Sequence, residues 1–265
     1  MSQDNGAAST GGSTSVQSLA RGLDVIRSFD AEHPSMTLSE VAKRTNLSRA
    51  TARRFLMTLQ ELGYVRGDGK FFELTSKVLQ LGYSYLSSAT LPQLMEPVLE
   101  DLSSQVHESA SASVLEDSDI IYIARVHTRS IMRVGISVGT RFPAANTSMG
   151  RVLLAHQAPG VLKVLLAQGF EPRTGLGITT VAALHEELER IREQGYALVD
   201  QELEVGLRSV AVPVFNPDGS IAAAMNVSMS VGPHSQVGAQ EAAMDVLPAL
   251  RAAAQKVQEA LTASR

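Results

Sequence analysis

The sequence predicts a mixed α and β chain in two parts. A small three-helix unit closed by a β-hairpin comes first; a larger unit with an antiparallel sheet and flanking helices follows. Three observations predict it. Helical spacing and N-terminal caps dominate residues 16–62. A Gly-Asp-Gly-Lys turn at residues 67–70 separates two short apolar runs. Beyond residue 109, β-branched runs and helical segments follow one another in mixed order.

Composition bounds the function. The chain has 265 residues, 44% hydrophobic and 19% charged, enough for one large core or two modest ones. It contains no cysteine, which excludes disulfides, thiolate metal sites and a thiol nucleophile, and suits a reducing cytoplasm. No apolar run approaches the roughly 18 residues of a membrane span. Residues 1–15, rich in Gly, Ser, Thr and Ala, lack the basic and apolar segments of a secretion signal and read as a disordered tail.

The net charge of −4 is unevenly distributed. Residues 16–78 carry 10 Lys and Arg against 7 Asp and Glu, whereas residues 79–265 carry 13 against 19. Lys43, Arg44, Arg49, Arg53 and Arg54 lie in a stretch without an acid. Phosphate binding follows such local charge rather than the total. Charge alone leaves a solvated helix face as an equal reading.

Apolar positions Leu19, Leu23, Val25, Ile26 and Phe29 give a first helix, broken at His33-Pro34. Thr37-Leu38-Ser39-Glu40 is a capping box that starts the second helix. Asn46-Leu47 turns the chain, and Ser48 caps a third helix running from Arg49 to about Leu62. Ala52, Phe55, Leu56, Leu59 and Leu62 form its apolar stripe; Ala50, Arg53, Arg54, Met57 and Glu61 face the other way. Gly63 ends it. Two strands, residues 64–66 and 71–74, flank the turn at 67–70. Helix, helix, turn, helix and hairpin make a winged helix-turn-helix. Its forked arginine donors suit guanine edges and phosphates. The candidate DNA contacts are Thr37, Ser48, Arg49, Ala50, Thr51, Arg53 and Arg54, with Arg66 and Lys70 on the wing.

Residues 75–88 read as a connecting helix, and residues 91–107 as another with Pro92 near its start. Strands are expected at residues 112–115, 120–126 and 131–136, then at 196–200, 209–215 and 221–229. Helices are expected at residues 148–156, 160–168, 181–194 and 236–262. Gly135-Ile136-Ser137-Val138-Gly139 matches the G-x-S-x-G nucleophile pattern, but Thr140-Arg141-Phe142-Pro143 is a poor start for the helix that pattern needs. A serine hydrolase using Ser137 is therefore the lesser alternative. The six histidines show no metal-ligand spacing, and no phosphate-binding loop is present. These features favour a binder over a catalyst, with no metal or cofactor expected.

Three stretches resemble the IclR family of transcription regulators: SLARGLDV at 18–25 with TLSEVA at 37–42 and LSRATARR at 47–54; FPAANTSMGRVLLA at 142–155; and residues 195–204 followed by GLRSVAVPV at 206–214. The resemblance spans nearly the whole chain. It implies a disordered tail (1–15), a winged helix-turn-helix (16–77), a linker helix (78–90) and a GAF-like (profilin-like) effector domain (91–265). It also implies a homodimer or tetramer on double-stranded, palindromic operator DNA. The run SIMRVGISVGTR at 130–141 is similar to the subgroup controlling aromatic-acid breakdown through protocatechuate and β-ketoadipate. A small carboxylate effector is thereby implied: protocatechuate, β-ketoadipate or 4-hydroxybenzoate. Regulation of another small-carboxylate pathway is the alternative within the family; a ligand-independent nucleoid or scaffold protein is the alternative outside it.

The resemblance places the effector pocket at Ile131, Val134, Ser148, Met149, Val199, Leu207, Ser209, Asn226 and Ser228. Val199 replaces an acid found in some relatives, which removes repulsion toward an anion. Arg133 shares its strand face with Ile131, and Arg125 is a second candidate cation.

Overall fold

The computed structural model describes residues 16–82, 90–128, 136–232 and 237–263. The expected tail, most of the linker helix, and Ile131, Arg133 and Val134 lie outside these residues. The chain divides into two compact units, Met1–Ser88 and Ala89–Arg265.

The first unit contains α1 (Gln17–Arg27), β1 (Ser35–Thr37), α2 (Leu38–Arg44), α3 (Arg49–Glu61), β2 (Val65–Gly67) and β3 (Phe71–Leu74). Both expected caps form. The Thr37 hydroxyl accepts from the Glu40 N–H, and the Glu40 carboxylate accepts from the Thr37 N–H at 2.7 Å. The Ser48 hydroxyl accepts from the Thr51 N–H at 3.2 Å. Gly63 turns the chain at φ +79°, which any other residue would resist. Val25, Met36, Val41, Ala52, Leu56 and Phe72 meet in one core.

Three details differ from the sequence-based expectation. β1 is an unexpected strand, pairing Ser35–Thr37 with β3 to give the order β1-β3-β2. Leu62, expected in the buried stripe, is 53% exposed, because α3 ends at Glu61 and the chain turns away. Leu19 and Leu23 are exposed too, since only the C-terminal end of α1 meets the core.

The second unit contains α4 (Thr90–Val106), β4 (Ser109–Glu116), β5 (Asp119–Val126), β6 (Arg141–Pro143), α5 (Ser148–Ala155), α6 (Pro159–Ala167), α7 (Val181–Gln194), β7 (Ala197–Asp200), β8 (Leu207–Phe215), β9 (Ile221–Ser230) and α8 (Ala239–Ala263). Its described strands form one antiparallel sheet in the order β6-β5-β4-β9-β8-β7. Val210, Val212, Val214, Met225 and Val227 face α4 and α8. Ala197, Ala211 and Ala224 face the other way, where α5 and α7 pack. Strand alternation separates these two faces. The three alanines keep the surface beneath α5 low, so the helix lies close to the sheet.

α5 is seated tightly. Thr147 is its N-cap, accepting from the Gly150 N–H at 3.0 Å. A Cβ at Gly150 would meet the Ala144 carbonyl oxygen at 2.1 Å, well inside contact distance. Behind Gly150, Arg151 is wholly buried and holds both Glu202 carboxylate oxygens, at 2.9 and 2.6 Å. Gly195 ends α7 at φ +77°, as expected.

The described residues of the G-x-S-x-G motif, 136–139, lead into a turn. The Thr140 N–H donates to the Ser137 carbonyl at 3.0 Å, and strand β6 follows instead of a helix. Ser137 Oγ lies 3.5 Å from Thr140 Oγ1 on the exposed surface. This corrects the nucleophile-elbow alternative: no helix follows the serine to present it, since β6 comes next.

Candidate nucleic-acid interface and effector site

In the first unit, capping fixes where the basic side chains point. Ser48 sets the start of α3, so Ala52, Leu56 and Leu59 turn inward, and Arg49, Ala50, Arg53 and Arg54 turn outward. Arg49, Arg53 and Arg54 are exposed and enter no ion pair among the described residues. Their neighbours are engaged. Arg44 Nη2 pairs with Asp30 Oδ2 at 2.5 Å, and Arg66 Nη2 pairs with Glu73 Oε2 at 2.7 Å. Hydrogen bonding from His33, with Arg44 close by, holds the Asp30 carboxyl below its usual pKa. Thr37 spends its hydroxyl on the capping box, and half-buried Thr51 shares a 2.8 Å hydrogen bond with Ser48. The wing turn is organised by Asp68, whose carboxylate accepts from the Lys70 and Phe71 N–H groups at 2.9 and 2.8 Å. Lys70 lies over the Phe71 ring, 5.1 Å from its centroid. A helix front with three free guanidiniums is a surface short of anions.

In the second unit, the described effector candidates converge. Leu207 and Ser209 on β8, Asn226 and Ser228 on β9, and Val199 on β7 share the sheet face that α5 covers. Register places Val199, Ser209 and Ser228 in one row across the sheet. Ser148 and Met149, the first residues of α5, are 1% exposed. Thr147 takes the capping role, leaving the Ser148 hydroxyl free for another partner.

Strand β4 adds three residues that sequence reasoning missed as site candidates. Ser109, Ser111 and Ser113 alternate along it, all buried on this same face. Ser109 lies opposite Ser228, and Ser111 lies between Asn226 and Arg125. The Ser-x-Ser-x-Ser spacing at strand period was the available signal. Ser113 Oγ, Ser148 Oγ and Asn226 Oδ1 are buried without a hydrogen-bond partner among the described residues. Buried polar atoms normally find partners, so unmet ones on one face point to a ligand-facing surface.

Tyr122 floors the β5 end of this face, 3% exposed, with its ring edge-on to Phe142 at 6.0 Å and under Arg125 at 5.9 Å. Burial pushes its phenol up to about 12. The folded state must keep Tyr122 neutral between the ordinary phenol value near 10 and that figure, whereas the unfolded chain ionises. Stability therefore falls as pH rises above about 10, at up to 1.4 kcal/mol per pH unit. Urea titrations from pH 9 to 12 should show this slope, and Tyr122→Phe should reduce it by one proton's worth. An unchanged slope in the variant would disprove the assignment.

A winged helix-turn-helix with unengaged arginines, in one chain with a sheet unit bearing a buried polar face, is the build of a ligand-responsive DNA-binding regulator. The chain belongs to the IclR family: residues 18–69 match the IclR helix-turn-helix domain, and residues 83–259 match the C-terminal domain of the bacterial transcriptional regulator IclR. It is 42% identical to the Pca regulon regulatory protein of Pseudomonas putida over 92% of this chain and 84% of that one. It is 35% identical to the p-hydroxybenzoate hydroxylase transcriptional activator of Acinetobacter baylyi, covering 89% and 88%. A solved transcriptional regulator from Rhodococcus sp. RHA1 is 46% identical with TM-score 0.80, covering 95% of this chain and 100% of that one. An IclR homologue from Microbacterium hydrocarbonoxydans, solved with 4-hydroxybenzoate, is 25% identical with TM-score 0.78, covering 93% and 99%. No described helix is long and apolar enough to cross a membrane.

Proposed function

We propose that this chain is a transcription regulator of aromatic-acid catabolism, controlling protocatechuate and β-ketoadipate pathway genes in the cytoplasm. The observation that carries the reading is the similarity, across both units, to regulators named for the Pca regulon and for p-hydroxybenzoate hydroxylase. The geometry supports it. Two copies of α3 would place Arg49, Arg53 and Arg54 in successive major grooves of a palindromic operator, with Arg66 and Lys70 on flanking phosphates. The polar face under α5 would take a small aromatic carboxylate, with Ser148, Ser209, Asn226 and Ser228 hydrogen-bonding and Met149, Val199 and Leu207 walling the ring. Ile131, Arg133 and Val134 complete the proposed site. Ligand binding would then shift the balance between arrangements of the paired winged helices, coupling effector to operator. The chain acts by binding, as a homodimer or tetramer, without catalysis.

Calorimetric titration of the full chain with protocatechuate, 4-hydroxybenzoate and β-ketoadipate tests this reading. Saturable binding of at least one is expected, together with a change in operator affinity in its presence. Absence of binding to all three would overturn it.

A further inference from the structure

The effector site needs a group that recognises a carboxylate, and among the described residues the buried face offers a cation, Arg125, beyond the positions taken from the family resemblance. Arg125 lies on β5, half-buried, opposite Ser111. Its Nη1 donates to Ser111 Oγ at 2.9 Å, and its Nε donates to His127 Nδ1 at 3.2 Å. Its guanidinium also lies over the Tyr122 ring, 5.9 Å from the centroid. All three groups are neutral; accepting from Arg125 requires His127 Nδ1 to be unprotonated, and burial and the nearby guanidinium hold that imidazole's pKa down.

The other buried and half-buried arginines among the described residues of this unit are satisfied differently. Arg141 pairs with Asp119, Arg151 with Glu202, and Arg208 with Asp200. Arg125 pairs with no carboxylate among the described residues. Residues 129–135, which follow its strand, contain no acid in their sequence. A guanidinium withdrawn from water without a counter-anion is costly, and burial lowers its pKa accordingly. An incoming carboxylate would offset that cost and could use the guanidinium's two-pronged geometry.

The surroundings set the ligand class. Arg125 leans over Ser111 on the central strand, and the next strand beyond carries Asn226 opposite that serine. Asn226 donates to Ser228 Oγ at 3.1 Å, leaving its Oδ1 without a donor among the described residues. One cross-strand row thus carries a cation on β5 and a neutral acceptor on β9, with Ser111 between them.

We propose that Arg125 is the carboxylate anchor of the effector site, holding an aromatic acid through its guanidinium while Asn226 Oδ1 accepts from a ring hydroxyl. This assignment rests on the aromatic-acid reading above and names the residue that makes the site select acids.

The test compares 4-hydroxybenzoate with its neutral amide, 4-hydroxybenzamide, by calorimetry on the full chain as wild type, Arg125→Gln and Arg125→Lys. Wild type should prefer the acid. Arg125→Gln should lose about 10- to 100-fold in acid affinity while its amide affinity stays within threefold, erasing the preference. Arg125→Lys keeps the charge but not the fork and should fall between. Unchanged thermal unfolding and ligand-free operator binding show that the variants fold. Should Arg125→Gln fail to fold, a loss of acid but not amide affinity in Arg125→Lys supports the anchor in its place. If wild type binds the acid and the variants bind it equally well, the anchor is wrong and the aromatic-acid reading stands. If wild type binds neither 4-hydroxybenzoate here nor protocatechuate or β-ketoadipate in the titrations above, that reading falls and the anchor falls with it.

Discussion

Replacing Arg151 by methionine will cost the second unit about 3–5 kcal/mol, the largest single-residue loss expected in this chain. Arg151 sits on α5 with 1% of its surface exposed, and its guanidinium donates to the Ala145 carbonyl and to both Glu202 oxygens. Glu202 in turn accepts from the Ile178 N–H at 2.9 Å. The pair therefore joins α5, the turn before it, the segment after β7 and the loop before α7. Methionine would fill part of the volume but leave the Glu202 carboxylate in a nearly closed site without its cation. Domain stabilities are commonly about 5–15 kcal/mol, so the variant should retain little margin. The stranded charge causes most of this loss, so Arg151→Met with Glu202→Leu should recover much of it, since apolar replacements of buried pairs are often tolerated. Denaturant melts followed by circular dichroism read both variants. A loss below about 1 kcal/mol in the single variant, or a double variant no better than it, would refute this account.

The same pair shows where sequence reading stops. Local signals were legible because their partners are local. Thr37 and Glu40 stand three residues apart, and the capping box forms as read. Ser48, Gly63, Gly195 and the turn at residues 67–70 likewise act within a few residues, and helices, strands and reversals fall where those signals put them. Arg151 and Glu202 are separated by 51 positions, and no periodicity links them. Arg44 looks as free as Arg53 in the sequence until folding brings Asp30 against it. β1 is three residues long between a proline and a cap, too short to show alternation, and exists because β3 offers an edge. The serines of β4 lie between these cases. Their period is visible, but small polar residues at alternate positions look like an exposed face until α5 covers them. Leu62 fails in the opposite direction: its spacing fits the stripe, but the helix ends before burying it.

Arg53→Ala should weaken operator binding by about 1–3 kcal/mol, whereas Arg44→Ala should change it far less. Both belong to one basic run in the sequence and both are exposed, but Arg53 enters no ion pair among the described residues, whereas Arg44 is committed to Asp30 and lies against His33. Arg66 falls between them, since Glu73 holds it on the wing and a phosphate must compete with that carboxylate. Salt and sequence separate the possible roles of each cation. A residue reading a base edge loses operator affinity on substitution while random-DNA affinity holds. A residue on phosphate weakens both alike and reduces the slope of log affinity against log salt by about 0.9. Gel shifts on operator and random duplexes, at several salt concentrations, should place Arg49, Arg53 and Arg54 in one of these two groups. The cations at the front of α3 enter no ion pair among the described residues and lie together on one helix face, so they should dominate the electrostatics of binding. If all three can be replaced with no loss on either duplex, α3 is not the DNA-reading element.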